Sequence, residues 1–223
     1  MARAPGCLAL IVLGLLLFAV TLFANLVLGA LGKLGLSPLA SLTIAAGIFL
    51  GGAINVPIRR TPRDKLVQVP MVDLYGLPRV VPRLMRQRTY SVLAVNLGGC
   101  IIPSLLGLYE LSRLADHNAL FGSVLGIAVN TGVCYHLARP VPGVGITMPA
   151  LVPALVAALC GVLLVPEWAP PAAFVSGVFG TLIGADLLHL KDVERISTGI
   201  ASIGGAGTFD GIVLSGLVAS LLA

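Results

Sequence analysis

Long apolar runs separated by short polar interruptions dominate the chain. Seven of them, near 7–31, 36–58, 89–109, 118–138, 149–166, 171–190 and 199–223, reach or approach the ~20 residues a helix needs to cross a bilayer. The fifth is the shortest, with Pro149, Pro153 and Pro166 around it. No period-two alternation recurs, and a helix satisfies its own backbone where lipid cannot. The pattern predicts an all-α, polytopic transmembrane bundle of about seven helices, a single integral membrane domain over 1–223 with glycine- and proline-broken segments. The first run follows Arg3 and superficially resembles a secretory leader. It is about twice as long as a leader's apolar core, so it is read as a retained first helix.

Composition agrees with the pattern. Charged residues make up 10% of the chain and hydrophobic ones 57%, with a mean hydropathy of +1.03. Soluble domains carry about 25% charge. The net charge of +5 does not point to nucleic acid, because the basic residues fall between apolar runs. The segment 59–88, expected as a basic cytoplasmic loop, holds Arg59, Arg60, Arg63, Lys65, Arg79, Arg83, Arg86 and Arg88. Placing it inside also puts Arg3, Arg139, Lys191 and Arg195 inside, and leaves Lys33 and Arg113 outside. That split predicts a multi-pass protein of the inner (plasma) membrane, N-terminus cytoplasmic and C-terminus outside. Pro57, Pro62, Pro70, Pro78 and Pro82 rule out one continuous helix there. The basic segment either sets topology alone or also attracts anionic lipid.

Two carboxylates interrupt apolar, glycine-rich stretches: Asp186 in Gly184-Ala185-Asp186-Leu187-Leu188, and Asp210 after Gly204-Gly205-Ala206-Gly207-Thr208-Phe209. A charge at such depth is costly and marks a functional site by default. Asp186 precedes Lys191 by five residues, about 7.5 Å of helix. Asp210 lies twelve residues beyond Thr198, about 18 Å deep if that helix is regular. Straight helices would therefore separate the two by roughly 10 Å. The glycines at 204, 205 and 207 predict either a break, which would bring Asp210 toward Asp186, or close helix packing.

Other polar positions extend this picture. Asn96 and Asn130 are candidates for lining a substrate or ion path or for interhelical hydrogen bonding, together with Gly143, Gly145, Gly205, Gly207 and Thr208. The stretch Arg139-Pro140-Val141-Pro142-Gly143-Val144-Gly145-Ile146-Thr147-Met148-Pro149 reads as a connector or as a structured re-entrant element. Glu110, Asp116, His117 and Glu167 read as solvated loop residues, and His189 as a boundary histidine. Cys7, Cys100, Cys134 and Cys160 all sit in apolar runs without paired spacing, as core residues do. Neither a metal site nor a cofactor is expected.

Three motifs in order carry a resemblance over roughly 50–223: Arg139-Pro140-Val141-Pro142-Gly143-Val144-Gly145-Ile146, Gly184-Ala185-Asp186-Leu187-Leu188, and Ser202-Ile203-Gly204-Gly205-Ala206-Gly207-Thr208-Phe209-Asp210-Gly211. Together they resemble the bacterial and archaeal membrane family named domain of unknown function 1614. A looser resemblance is to the GxGD intramembrane aspartyl proteases, with Asp186 and Asp210 as the catalytic pair. The chain departs from that motif, because Gly205 to Asp210 is two residues longer than GxGD. The protease resemblance implies peptide hydrolysis on a transmembrane peptide substrate. The alternatives are a proton- or sodium-coupled transporter using the same aspartates on a small cation, or a non-catalytic scaffold among membrane lipids.

Overall fold

The computed structural model describes residues 4–72, 78–141, 145–149, 151–192, 200–205 and 211–223. The first apolar run folds as α1 (Ala4–Lys33), an uninterrupted helix without an acid in its first turn. After a turn at Gly35, α2 (Pro38–Gly51) starts on Ser37, whose hydroxyl accepts from the Ala40 N–H at 3.3 Å, with proline in the first turn.

The expected helix over 36–58 stops early, and the one over 89–109 starts late. Asn55–Val72 is β1 and Pro78–Asn96 is β2, antiparallel from Asn55 opposite Asn96 to Val72 opposite Pro78. The basic loop expected at 59–88 is thus most of a two-stranded ribbon. Proline cannot sit in a helix interior, while Val56, Ile58, Thr61, Val92 and Val95 suit a pleated strand. The register shifts between Pro57 and Arg59 and between Val69 and Met71, the second at Pro70, as expected where proline removes a ladder donor. Two further strands are β3 (Arg139–Val141) and β4 (Gly145–Thr147), a small antiparallel hairpin.

The remaining expectations fare unequally. After β2 a π turn (Leu97–Ile101) leads into α3 (Ile102–Asp116). Next, α4 (Leu120–Leu137) lies inside the expected 118–138, and α5 (Leu151–Leu164) inside 149–166. A single 3-10 turn precedes α6 (Ala169–Thr181), which continues as a π segment (Leu182–Leu187). The run 199–223 is not one helix. It opens as β5 (Ile200–Ile203), which pairs in parallel with Val92–Val95 of β2. It turns at Gly204, and ends as α7 (Gly211–Leu222). Gly204 has φ +69°, which costs glycine little. Of the two outcomes expected at the glycine cluster, a break or close helix packing, the described residues show a break, on its first glycine.

The described chain is mostly helical, and α6 is its centre, packed on α3, α4, α5 and α7. Its buried face is rich in small residues, Ala172, Ala173, Gly177 and Gly180 among them. These let backbones approach: a Cβ on Gly177 would lie 2.7 Å from the Ser215 carbonyl. Val175, Val178, Ile212 and Val213 fill the space between them. Among the described residues, three helices, Leu10–Lys33, Leu120–Leu137 and Pro166–Leu187, are long and apolar enough to cross a membrane. Every residue of α1 from Leu10 to Leu22 is exposed, whereas Val27, Ala30 and Leu31 are buried.

Glu110 corrects an expectation. Because α3 continues to Asp116, Glu110 falls inside the helix and not in a solvated loop, and it is fully buried. The Arg113 Nη1 donates to its two oxygens at 3.1 and 2.9 Å. Asp116, His117 and Glu167 are exposed as expected, with His117 stacked on Trp168 at 4.0 Å.

Candidate functional site

Asp186 sits in the π segment that ends α6, half-buried. The segment is wound one residue wider than an α-helix, as the Leu188 N–H bonding the Ile183 carbonyl at 3.0 Å shows. Such widening inside a helix recurs at functional sites. Gly184 lies against α4, where a Cβ would sit 2.7 Å from that of Cys134.

A ladder of buried polar groups runs along the seam between α4 and α6. The Asn130 side chain donates to the Ser176 carbonyl at 2.8 Å. The Cys134 thiol lies 3.9 Å from the Asn130 side-chain oxygen and 3.8 Å from the Thr181 hydroxyl. Asn130, Cys134 and Thr181 are all buried, and Asp186 lies within electrostatic reach of Cys134. His189 is also buried, with Nδ1 3.1 Å from the Gly184 carbonyl. A carbonyl can only accept, so Nδ1 carries a hydrogen in this contact. The Tyr135 ring packs on this imidazole at 4.9 Å.

Two other elements meet the same end of α6. From the β3–β4 hairpin, Ile146 and Met148 pack on Cys134, Ala138 and Ala185. From the start of α7, a Cβ at Gly211 would lie 3.8 Å from the Thr181 methyl and 3.9 Å from the Met148 terminal methyl. Gly211 follows Asp210 directly in the chain. The structure thus gathers parts of all three sequence motifs at one place. Asp210, Gly207, Thr208 and Gly143 themselves lie outside the described residues. Gly145 is described, with φ +113° in the hairpin.

Asn96 and Gly205 belong to a different junction, the foot of the ribbon. Asn96 is fully buried; its amide donates to the Gly52 carbonyl at 2.7 Å and to the Asn55 side-chain oxygen at 3.1 Å. Its own oxygen accepts from the Gly99 N–H at 2.7 Å, capping the π turn. Ser202 of β5 donates to the same Asn55 oxygen, and Gly205 lies beside both. Gly98 and Gly99 let this knot close: a Cβ on Gly99 would run into the Gly204 carbonyl, and one on Gly98 into the Ile48 carbonyl.

Sequence reasoning singled out Asp186 and Asn130 but not Cys134, Thr181 or the packing of His189. Cys134 stands four residues after Asn130, and His189 three after Asp186, spacings that share a helix face. The contact between Thr181 and Cys134 joins two helices, so one-helix spacing cannot reveal it.

The family described as a protein of unknown function, DUF1614, matches residues 49–222. The chain belongs to this family. The matched stretch begins at the end of α2 and closes with α7, so it contains the ribbon and both polar junctions but little of the first two helices. No curated protein and no solved structure matches the chain.

Proposed function

We propose that this protein is an integral membrane protein of the inner membrane, N-terminus cytoplasmic and C-terminus outside, acting through a two-carboxylate site made by Asp186 and Asp210. The lipid-compatible exposed surface of α1 and the twelve-to-two division of Lys and Arg support the membrane reading. Non-helical backbone such as β3–β4 and β5 is tolerated at membrane depth where it is buried or lines water. A reporter fused after Ala223 should read as external, and a cytoplasmic signal would sink this topology.

The observation that carries the site is Gly211 resting against Thr181 and Met148. Thr181 precedes Asp186 by five residues, about 7.5 Å of helix, so the contact of Gly211 with Thr181 sets the start of α7 about 7.5 Å from Asp186 in depth, against the roughly 10 Å that straight helices would impose. The chemistry this pair supports best is that of an intramembrane aspartyl protease. Two neighbouring carboxyls share one proton: the ionised one takes a proton from water as it attacks a peptide carbonyl, and the other protonates the carbonyl oxygen.

The polar ladder Asn130–Cys134–Thr181 favours a second reading, proton- or sodium-coupled transport, because broken helices and buried polar groups also build ion paths. The test uses the full chain in proteoliposomes with Asp186→Asn and Asp210→Asn. Asparagine is nearly isosteric with protonated aspartate, so both variants should keep the wild-type melting temperature. Loss of cleavage of a model transmembrane peptide in both supports hydrolysis, whereas loss of cation flux supports transport. Wild-type behaviour of both variants in both assays would overturn the two-carboxylate site and leave the scaffold.

A further inference from the structure

At the end of the bundle far from Asp186, the loop between α3 and α4 faces the turn that leads into α6. Between them lies a cleft of about 490 Å³, a volume ordinary for a ligand pocket. His117, Asn118 and Glu167 give it polar walls beside Trp168. Trp168 is separated from Asp186 by roughly 27 Å of helix, so this cleft has no part in the carboxylate site.

The cleft continues downward. Leu125 and Leu164, which line it, also wall a second cavity of about 340 Å³. That cavity follows the seam between α4 and α5 along Val129, Val156, Leu159 and Leu163. Phe121 to Val129 on α4, and Leu164 back to Val156 on α5, each cover about 12 Å of helix. The adjoining cavities are thus polar at the helix ends and apolar along the helices. Leu125, Leu159 and Leu163 are exposed, as residues facing hydrocarbon are.

An occupant of both cavities has a polar head and an apolar tail. In a chain that spans a membrane, that describes a lipid. Hydrocarbon is as apolar as the leucines of the seam, so the tail gains little by entering, and selection falls on the head. No Lys or Arg is among the described residues lining the cleft, whereas Glu167 is, and Asp116 directly precedes His117. Arg113 stands near, its guanidinium 5.8 Å over the Trp168 ring, but it is committed to Glu110 and to the Leu34 carbonyl. A head without a cation would meet these acids unrelieved, while an ammonium finds a partner in Glu167. The His117 ring and the Asn118 amide supply donors for a phosphate beside it.

We propose that this cleft binds a phospholipid with an amine head, phosphatidylethanolamine, its ammonium on Glu167, its phosphate at His117 and Asn118, and one acyl chain in the α4–α5 seam. This rests on the membrane reading above but not on the two-carboxylate site. Trp168 is the sole tryptophan of the chain, so its emission reports on the cleft. The full chain in non-ionic detergent is titrated with phosphatidylethanolamine or phosphatidylglycerol of identical acyl chains, brominated near the glycerol to quench the indole. Quenching should saturate, at about fivefold less of the ethanolamine lipid, a preference the size of one exposed charge pair. Glu167→Gln, an exposed substitution that leaves the fold alone, should erase the preference. Val129→Phe, which fills the seam from an exposed position, should weaken both lipids by a similar factor. Quenching without saturation, equal half-points for the two lipids, or a preference that survives Glu167→Gln overturns the site. Unchanged half-points in Val129→Phe remove the chain from the seam and overturn it too. Competition by chainless glycerophosphoethanolamine as strong as by the whole lipid overturns it in favour of a soluble amine. A chain that stays dissolved and monodisperse without detergent overturns the membrane reading first, and the lipid site with it.

Discussion

Replacing Arg113 by alanine should destabilise the protein by about 3 kcal/mol, the lower end of the ~3–5 kcal/mol lost when one partner of a buried ion pair is removed. The lower end applies because the Arg113 side chain keeps 27% exposure, while that of Glu110 has none. The same Nη1 that meets Glu110 donates to the Leu34 carbonyl at 2.5 Å, and the guanidinium lies 5.8 Å over the Tyr109 and Trp168 rings. Truncation therefore strands a buried carboxylate and unties the α1–α2 turn from α3 and from the start of α6. Glu110→Gln combined with Arg113→Met should recover much of the loss, since the stranded charge and not the missing attraction is the larger cost. Thermal unfolding in one fixed detergent checks the order: wild type, double variant, Arg113→Ala. An unchanged melting temperature for Arg113→Ala would show the pair to be idle.

What the sequence made legible follows from what hydropathy measures. The first run, the fourth and the end of the last were readable because each is apolar for the whole of its helix. The ribbon was not, although its prolines excluded one helix. Ala53–Ile58 and Tyr90–Asn96 are as apolar as the helices beside them, and a short apolar run does not reveal its own period. Strand ends of this composition extend the apolar runs at 36–58 and 89–109 to spanning length. Glu110 is hidden for the same reason, because an apolar run that ends at 109 leaves the acid outside it. The irregularity at Gly204 was only half legible, because three glycines in four residues are a poor helix but suit close helix packing as well as a break. The seam of Asn130, Cys134 and Thr181 was only half legible. An asparagine in an apolar run announces itself, but a cysteine and a threonine become partners only once α4 is laid on α6.

Asn96→Ala should be the other large loss, about 2–5 kcal/mol. A side-chain hydrogen bond between membrane helices averages only ~0.6 kcal/mol, and a helix cap ~1 kcal/mol. Those averages assume that the abandoned groups find other partners. Asn96 has no exposure, and it serves two backbone groups, the Gly99 N–H and the Gly52 carbonyl. A buried backbone group left unmet costs about 1–3 kcal/mol, in full for the Gly99 N–H and in part for the half-buried Gly52 carbonyl, so the orphaned groups and not the lost bonds set the size. Substitutions should separate the two roles. Asn96→Ser keeps an oxygen short enough to cap Gly99 and should lie between wild type and alanine. Asn96→Asp keeps the cap but sets a carboxylate against the Gly52 carbonyl and the Asn55 oxygen, and should be no more stable than alanine. Melting temperatures of the four proteins in one detergent test this order. Asn96→Ala at the wild-type melting temperature would mean that the glycines alone, through the close approach of Gly98 and Gly99 to α2 and β5, hold the ribbon to the bundle.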